Sequence, residues 1–346
     1  MVHRRPSRRL GLLAIASALT LGLAACGGGG SGDGSGGSGK VTIAVGGQSQ
    51  VVYLPTTLAQ QLGYYKDEGL DVTINDFEGG SEALEAMLGG SADVTSGFYD
   101  HTIEMATKHK ELEAFVDMLR YPDLVLAVSP KAGQDISSVA DLKGKTVGIT
   151  APGSSTQFFT QYLLAKNGMS QDAVSFKGMG AASTAVAAME KGQVDAGVMV
   201  DPAFSQLQNR QNGNVTVLAD TRSGSDVQRV FGTSTYPAAT LYATTDWVEG
   251  NTSTAKKLAK AIVRTLKWID SHSAKQIAAK MPKEFAGGDP SLYQQAIDNA
   301  KASYSPDGVM HKDGTESVLE VLGTGIPEVK KADVDITQTY TNEFVQ

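Results

Sequence analysis

The sequence predicts an α/β protein that consists of two similar lobes with a cleft between them. Three observations indicate this class: short β-branched runs alternate with amphipathic stretches, one segment of fourteen residues recurs, and the predicted strands end in Gly- or Ser-rich turns that lead into helices. Such alternation is typical of parallel sheets whose strands are joined by crossover helices. At 346 residues, of which 41% are hydrophobic, the chain is long enough for two lobes with cores.

The alternation sets out the elements in chain order. Strand patterns are short and β-branched, whereas helix patterns repeat apolar residues every three or four positions. Strands are predicted at 41–45, 70–76, 92–98, 146–150, 174–177 and 196–200, and helices at 54–62, 80–88, 101–109, 155–167 and 181–190. After Trp247 the chain is almost wholly helical, with its longest periodic stretch at 252–272.

The recurring segment indicates an internal duplication. Ser81–Val94 (SEALEAMLGGSADV) and Ser183–Ala196 (STAVAAMEKGQVDA) are displaced by 102 residues and share S-x-A-[LV]-x-A-M-x-x-G-x-x-D. In both, a helix that turns Ala and Met toward the sheet is expected to end at a glycine, Gly90 or Gly192, before a short turn into a strand. The two lobes are therefore expected to share one architecture.

The N-terminus has the pattern of a secretory signal. Met1–Arg9 is basic, Leu10–Leu23 is apolar but short for a membrane span, and small residues precede Cys26. The LAAC ending resembles a bacterial lipobox, which predicts removal of residues 1–25 and lipidation of Cys26; the alternative is an ordinary signal followed by a stray cysteine. The paired arginines leave both the Sec and the twin-arginine export routes open.

Residues 26–39 are Gly- and Ser-rich and are expected to form a flexible tether with a reach of about 20 Å. Loss of the four arginines in the signal leaves 26 of the 30 basic residues against 37 acidic ones, a net charge of −11. This charge does not favour nucleic acid or an anionic membrane surface as a partner. We therefore expect an exported acidic protein, anchored by lipid at the outer face of the cytoplasmic membrane.

The motifs of enzyme chemistry are incomplete. Gly144-Lys145-Thr146 lacks the glycine that a phosphate-binding loop requires at the place of Val139, and its lysine precedes a strand instead of following one. The chain has no G-x-S-x-G, no H-E-x-x-H and only one cysteine, and Gly178–Ser183 falls one residue short of a dinucleotide fingerprint. We expect a protein that is not an enzyme and uses no metal and no cofactor.

The turn Ala151–Thr156 joins a strand to a helix and has the composition of a backbone cradle. Ser154 or Ser155 can cap the helix, and the first-turn N–H groups of Ser155 and Thr156 then point outward without acceptors. These donors and the helix dipole attract an anionic or polar ligand group without a formal positive charge. The alternative is a serine that caps the helix and does nothing more.

Similar loops follow the other predicted strands. In open parallel sheets, ligands bind beyond the carboxyl ends of the strands, so two facing sets of such loops predict a small-molecule cleft. The loops are Gly46–Ser49, Gly79–Ser81 and Ser96–Asp100 in the first half, and Ala151–Thr156, Gly178–Ala182 and Asp201-Pro202 in the second.

Five segments carry a resemblance to a known family. They are the LAAC motif, EGGSEALEAMLGGSADVTSG, DLKGKTVGITAPGSSTQFF, the Asp201-Pro202 corner and STYPAATLYATTDWV, spread over nearly all of the mature chain. In these segments the sequence resembles the solute-binding proteins of ABC importers. The group it resembles is the nitrate/sulfonate/taurine (NMT1/THI5-like) group, which includes proteins similar to those that bind thiamine-pyrimidine precursors.

The resemblance implies a type II periplasmic-binding-protein fold, in which two lobes joined by a two-stranded hinge close on a ligand by rotation. Lobe 1 would contain residues 40–127 and 232–346 and lobe 2 residues 128–231, with crossings at 124–130 and 231–237. The ligand would be small, polar and organic, either sulfonate-like or a nitrogen heterocycle. ABC permease subunits would be the partners of the protein, which is expected to be a monomer.

The residues expected to bind this ligand lie in the strand-end loops and on aromatic walls beside them. Asp100 and Asp201 end loops in both halves, and two carboxylates in the cleft would repel a bare oxyanion and favour an amine or a protonated heterocycle. The alternative for each is that it caps the following helix. The predicted set is Gln48, Tyr53, Gly80, Ser81, Phe98, Tyr99, Asp100, Gly153, Ser154, Ser155, Thr156, Gly180, Asp201 and Tyr236.

Two other functions stay open beside import. One is an enzyme of the pyrimidine-synthase type on the same fold, which the single cysteine and the lack of a histidine cluster argue against. The other is a sensory binding module, which would bind its ligand through the same cleft.

Overall fold

Two five-stranded sheets organise the structure, a computed structural model that describes residues 39–132 and 135–345. The predicted signal, Cys26 and nearly all of the predicted tether lie outside the described residues, so cleavage, lipidation and export stay predictions. Within the described ranges, no helix combines the length and the apolar character that a membrane crossing requires.

Ten strands are found in the described residues. They are β1 (Lys40–Gly46), β2 (Asp71–Phe77), β3 (Val94–Phe98), β4 (Leu112–Asp117), β5 (Val125–Val128), β6 (Thr146–Ile149), β7 (Ser175–Gly178), β8 (Ala196–Met199), β9 (Val217–Asp220) and β10 (Ala239–Thr244).

Fourteen α-helices are found in the same ranges. They are α1 (Leu54–Gln61), α2 (Tyr64–Asp67), α3 (Gly80–Leu88), α4 (Asp100–Ala106), α5 (Ser155–Lys166), α6 (Ser183–Glu190), α7 (Ala203–Arg210), α8 (Gly224–Phe231), α9 (Thr245–Gly250), α10 (Thr252–Ser271), α11 (Ala274–Ala278), α12 (Pro290–Ala300), α13 (Lys312–Gly325) and α14 (Pro327–Ala332).

The two sheets have the same strand arrangement. The first has the order β2-β1-β3-β10-β4, and the second has the order β7-β6-β8-β5-β9. In each sheet the first three strands are parallel, and the fourth, β10 or β5, runs antiparallel to both of its neighbours. This equivalence agrees with the duplication expected from the recurring segment, because β3 and β8 begin 102 residues apart, at Val94 and Ala196.

The prediction of parallel sheets is therefore wrong for one strand in each sheet. Strand β5 follows β4 without a crossover helix and enters the second sheet, and β10 enters the first sheet only after the second is complete. Neither strand is reached through a crossover helix from a strand of its own sheet, which is the connection that joins parallel neighbours. The sheets are mixed.

The recurring helices end as the sequence predicts. Gly90 follows α3 with φ +77°, and Gly192 follows α6 with φ +65°. A residue with a side chain rarely adopts this left-handed conformation, so glycine terminates the helix there and allows the short turn to the next strand.

The chain passes between the sheets in two adjacent segments. Residues 118–124 lead from β4 to β5, and residues 232–238 lead from α8 to β10. The segments are hydrogen bonded to each other, because the amides of Tyr236 and Ala238 donate to the carbonyls of Arg120 and Leu119 at 2.9 and 2.7 Å. The predicted first crossing, 124–130, is largely strand β5, since its apolar residues are buried as an inner strand. The lobe boundaries stay a prediction.

Helix α13, near the C-terminus, packs against one helix from each of the two sheets. It contacts α4, which follows β3, and α5, which follows β6. The contact with α5 is close, because a Cβ added to Gly325 would lie 2.7 Å from the backbone nitrogen of Tyr162. Helix α13 therefore ties α4 to α5, and both of these helices begin at the candidate site described next.

Candidate ligand-binding cleft

A small cavity lies where the two sheets face each other. Four strands supply a residue at or just beyond their carboxyl ends: β1, β3, β6 and β8. The cavity is lined by Gly46, Gln50, Tyr53, Gly80, Phe98, Leu124, Thr150, Ser154, Ser155, Thr156 and Val200. The structure thus brings loops of both sheets to one place, at the edge where parallel strands present ligand sites.

The cavity is narrow in this conformation. Its volume is about 20 Å³, roughly the space that one water molecule occupies by this measure. A sulfonate-sized or heterocyclic ligand therefore requires the two sheets to separate before it enters. The paired segments 118–124 and 232–238 are the connections about which such a movement would take place.

The start of α5 supplies the predicted cradle, with one difference. Ser154 occupies the N-cap position but makes no capping bond to its own helix. Its Oγ instead accepts a hydrogen bond at 3.1 Å from the amide of Ser81, in the first turn of α3. This hydrogen bond joins the loop after β6, in the second sheet, to helix α3, beside the first sheet. The expectation that the Ser154 side chain caps α5 is therefore wrong.

The first-turn amides of α5 are available as donors. No acceptor within residues 39–132 and 135–345 lies in hydrogen-bond geometry with the backbone nitrogens of Ser155 and Thr156. Both residues line the cavity, and the Thr156 side chain is held by the amide of Thr150, which donates to its Oγ1 at 3.0 Å. The start of α3 faces the start of α5, so the positive ends of two helices meet here.

Asp100 is an ionisable group that is hydrogen bonded to this cradle. It is the first residue of α4 and only 3% exposed, and Tyr99 occupies the N-cap position of that helix. The Oδ1 of Asp100 accepts a hydrogen bond at 2.7 Å from the Oγ of Ser155, across the cleft. Burial raises the pKa of the Asp100 carboxyl to about 7, although the Ser155 hydrogen bond opposes this rise. Tyr99, and not Asp100, is the N-cap residue of α4, and a ligand contact by Asp100 stays a prediction.

His101, the next residue, was not predicted as part of the site. It is 1% exposed and packs edge-on against the ring of Phe158 in α5, at 5.8 Å between ring centroids. Its Nδ1 lies 3.2 Å from the Tyr242 hydroxyl, while its Nε2 has no hydrogen-bond partner among the described residues. Burial lowers the pKa of His101 to about 4. The helix start thus places two titratable groups between the sheets.

Asp201 is engaged by other residues. Its Oδ1 accepts from the amide and the hydroxyl of Ser205 at 2.8 and 2.7 Å, near the start of α7. Its Oδ2 lies 3.4 Å from Nη1 of Arg222, which also pairs with Asp220. These contacts agree with the capping alternative, and a ligand contact by Asp201 stays a prediction.

The predicted aromatic walls separate into two groups. Tyr53 and Phe98 line the cavity and pack edge to face, with ring centroids 6.1 Å apart. Tyr236 is buried beside the cleft and stacks on Phe231 at 4.7 Å. Tyr99 points elsewhere, because its hydroxyl is 2.5 Å from the Thr339 hydroxyl. Only the first two form a wall in this conformation.

Four further predicted residues lie around the cavity and do not line it: Gln48, Ser81, Gly153 and Gly180. Gln48 donates to the Thr57 hydroxyl, and Ser81 contacts Ser154. Gly153 and Gly180 lie in turns that require positive φ, +80° and +71°. Gly80, Ser154, Ser155 and Thr156 line the cavity as predicted, together with the unpredicted Gly46, Gln50, Leu124, Thr150 and Val200.

The Asp100 carboxyl should make the stability of the protein depend on pH. Its folded pKa, about 7, lies above the ordinary value of 3.8, so folding binds a proton between these pH values. This contribution is present at low pH and is lost as pH rises toward 7. His101 acts in the opposite sense, because its folded pKa of about 4 lies below 6.5, and its contribution is lost as pH falls.

We expect Asp100→Asn to become more stable relative to the wild type as pH rises from 4.5 to 8. The reason is that the amide carries no charge to desolvate, while His101 contributes equally to both proteins. Urea unfolding at pH 4.5, 6 and 8 gives the difference in free energy of unfolding. A difference that stays constant with pH contradicts the burial of an ionisable Asp100.

The described residues contain no group of three or more His, Cys, Asp or Glu placed to hold a metal ion. No lysine or arginine lines the cavity either. The polar groups that do line it are hydroxyls, an amide side chain and helix-start amides. This arrangement can hold a polar ligand by hydrogen bonds.

Comparison with known proteins gives one family and several relatives. Residues 38–275 match the model of the family described as "NMT1/THI5 like". The binding protein YtlA of Bacillus subtilis (strain 168) is 26% identical over 306 residues, which cover 85% of this chain and 87% of YtlA.

Two solved structures extend the comparison. A protein of Bordetella bronchiseptica RB50 is 43% identical, with a TM-score of 0.85 over 89% of this chain and 96% of that one. The alkanesulfonate-binding protein SsuA from Xanthomonas axonopodis pv. citri, bound to MOPS, is 17% identical, with a TM-score of 0.68 over 88% of this chain and 98% of SsuA. The second likeness shows a shared fold, that of periplasmic binding proteins, and confirms the predicted fold class.

Proposed function

The chain belongs to the NMT1/THI5 like family, and from this membership we propose that it is the extracytoplasmic solute-binding component of an ABC importer. It captures a small polar organic ligand between its two sheets and does not transform it. The observation that carries this proposal is the cavity itself, which both sheets line with strand ends and helix starts and which no charged side chain lines.

The contacts favour recognition by hydrogen bonds. Ser155 and Thr156 offer backbone amides and hydroxyls from the second sheet, and Tyr53 and Phe98 offer an aromatic wall from the first. Buried clefts of this kind bind ligands through a few polar groups placed on an apolar wall. Because the groups come from both sheets, a ligand that contacts them all stabilises the closed conformation.

The ligand class follows from the same contacts. Two helix starts and several hydroxyls suit a sulfonate-like group, and the aromatic wall suits the organic part of a sulfonate or a nitrogen heterocycle. The name of SsuA, an alkanesulfonate-binding protein bound to MOPS, supports the sulfonate class. The name of YtlA as a binding protein supports ligand capture over catalysis.

The proposal also covers the location of the protein and its partners. We place it outside the cytoplasmic membrane, held there as a monomer by a lipid on Cys26, with ABC permease subunits as partners. Growth of a deletion strain on the ligand as sole sulfur or nitrogen source separates import from sensing, because only an importer is required for uptake.

A melting-shift screen tests ligand capture. We expect one compound among sulfonates (including MOPS), nitrate, amines and pyrimidines to raise the melting temperature. The shift corresponds to ~2.7 kcal/mol at a hundredfold excess over the dissociation constant, because the ligand binds only the folded state. The screen is run in two buffers without a sulfonate group, one anionic and one cationic, so that competition by either buffer is detected.

A matched pair of variants locates the site. Val200 lines the cavity, whereas Val217 is on the surface and 38% exposed. Val200→Phe should lose the ligand-induced shift, measured from its own melting temperature, and Val217→Phe should keep it. A flat screen across all four classes contradicts the proposed function, and a compound that is consumed during incubation, as followed by NMR, indicates the pyrimidine-synthase alternative.

A further inference from the structure

We propose that the cleft captures an oxyanion together with one proton, which is held on the Asp100 carboxyl and sets the direction of the Ser155 hydroxyl. This inference rests on the proposed function of the cleft and concerns how the same site selects its ligand. Asp100 is a positioning residue in this scheme, because it acts through Ser155, and Ser155 is the residue that contacts the ligand.

The geometry of the pair carries the inference. Ser155 lines the cavity from the first turn of α5, and its Oγ lies 2.7 Å from Oδ1 of Asp100. A hydroxyl has a single proton to donate. While Asp100 is ionised, the hydroxyl donates to the carboxylate and turns its lone pairs toward the cavity, where they repel an anion.

Protonation reverses this arrangement. A neutral Asp100 donates its own O–H to the Oγ of Ser155 and accepts nothing from it. The hydroxyl proton of Ser155 is then free to donate to an oxyanion in the cavity, beside the unpartnered amides of Ser155 and Thr156. Binding of the anion draws onto Asp100 the fraction of a proton that it lacks in the free protein, and no covalent bond forms or breaks in the ligand.

The surroundings of Asp100 favour its neutral form. The side chain is buried, and tyrosines from three elements besides α5 interact with its charge. The ionisable side chains that do so are Tyr53 from the turn before α1, Tyr236 from the segment before β10, Tyr242 from β10, and Glu104 on its own helix, while hydrogen bonds from Ser155 and from the His101 backbone oppose the rise in its pKa. None of these is a permanent cation, so a carboxylate here has no ion-pair partner and takes up a proton at a pKa near 7.

The guanidinium of Arg222 does not change this balance. Arg222 is engaged by Asp220 at 2.7 Å and by Asp201 at 3.4 Å. It neutralises these two carboxylates and not Asp100. An anion entering the cleft therefore meets helix starts and one carboxyl, and the state of that carboxyl decides whether the anion is attracted or repelled.

Proton counting by calorimetry tests the inference. Ethanesulfonate and nitrate are the probes, since both stay anionic over the pH range. Titrations at pH 7 in two buffers that cause no melting shift themselves and differ in ionisation enthalpy give the number of protons bound. The wild type should take up as much as about half a proton more than Asp100→Asn, because a carboxyl with a pKa of about 7 is half protonated at pH 7 before the anion binds. His101 contributes to both proteins and cancels in the difference.

Affinity gives a second readout. At pH 8.5 we expect Asp100→Asn to bind ethanesulfonate at least tenfold more tightly than the wild type, because the amide can donate to Ser155 without a proton from solution. Ser155→Ala should weaken binding to the otherwise wild-type protein about tenfold at pH 6.5, where its hydroxyl serves the anion, and less than twofold at pH 8.5. The melting temperature of each variant confirms that it is folded.

Three results would overturn the inference. They are equal proton counts in wild type and Asp100→Asn, loss of anion binding in a folded Asp100→Asn, and a cost of Ser155→Ala that does not depend on pH. Binding of an ethylammonium or aminopyrimidine probe in place of either anion would also overturn it, yet would leave ligand capture by the cleft intact. Failure of every probe in the melting screen contradicts the proposed function itself.

Discussion

Gly46→Ala is expected to destabilise the protein by about 3 kcal/mol and to abolish ligand capture. Gly46 is the last residue of β1 and lines the cavity. A Cβ at this position would lie 2.4 Å from the nitrogen of Gly80 and 2.5 Å from the carbonyl carbon of Gly79, both backbone atoms at the start of α3. Overpacking against a backbone that cannot move is among the larger effects of a single methyl group.

In this conformation the start of α3 cannot move away from β1 to make room for the added methyl group. On its far side it meets the second sheet, since a Cβ added to Gly79 would be 2.6 Å from the Cβ of Ala151. Urea unfolding and the melting shift measure the two effects. Gly250→Ala is the control, because nothing lies within 4 Å of its added Cβ, and it should change stability by less than about 0.5 kcal/mol. Equal behaviour of the two variants contradicts the close approach of β1 and α3.

Arg222→Ala should cost about 3 kcal/mol, because it leaves buried carboxylates without a counter-ion. The guanidinium pairs with Asp220 at 2.7 Å and with Asp201 at 3.4 Å, and it lies over the ring of Phe204 at 4.7 Å. Asp123 is close by and 2% exposed; burial raises the pKa of its carboxyl, and Arg222 opposes that rise. Removal of the arginine takes away the cation that three carboxylates share.

The loss should be smaller at pH 5 than at pH 8, because burial raises the pKa of the Asp123 carboxyl and its protonated form needs no counter-ion. Denaturant unfolding at the two pH values measures it. Arg210→Ala serves as the matched control, because Arg210 is 52% exposed and its pair with Glu190 is expected to contribute less than about 0.5 kcal/mol. A cost for Arg222→Ala as small as that of the control would contradict the structural role of the cluster.

The fold was predictable where local pattern and tertiary contact agree. Strands β1, β3, β6 and β8 are β-branched runs next to amphipathic helices, and their positions match the prediction to within two residues. Strand β10 (ATLYAT) has a weaker pattern, and its position is set by burial between β3 and β4. The direction of β5 and β10 depends on pairing between residues far apart in the chain, which local sequence does not contain.

The loops that form the site were predictable from the sequence, but several of the contacts between them were not. Ser155 and Thr156 follow from helix-start chemistry, and both line the cavity. Gln50 was missed because the turn at Gly47, with φ +93°, directs its side chain inward to the carbonyl of Gly46. The bond between Ser154 and Ser81 crosses 73 residues of sequence and exists only once the sheets face each other.

The late position of β10 in the chain has a consequence for folding during synthesis. A nascent chain that has emerged as far as residue 117 carries β3 and β4 without the strand that separates them, because β10 is not made until residues 239–244. Unpaired strand edges of this kind invite aggregation. More than two thirds of the polypeptide must therefore be synthesised before the first sheet can be completed.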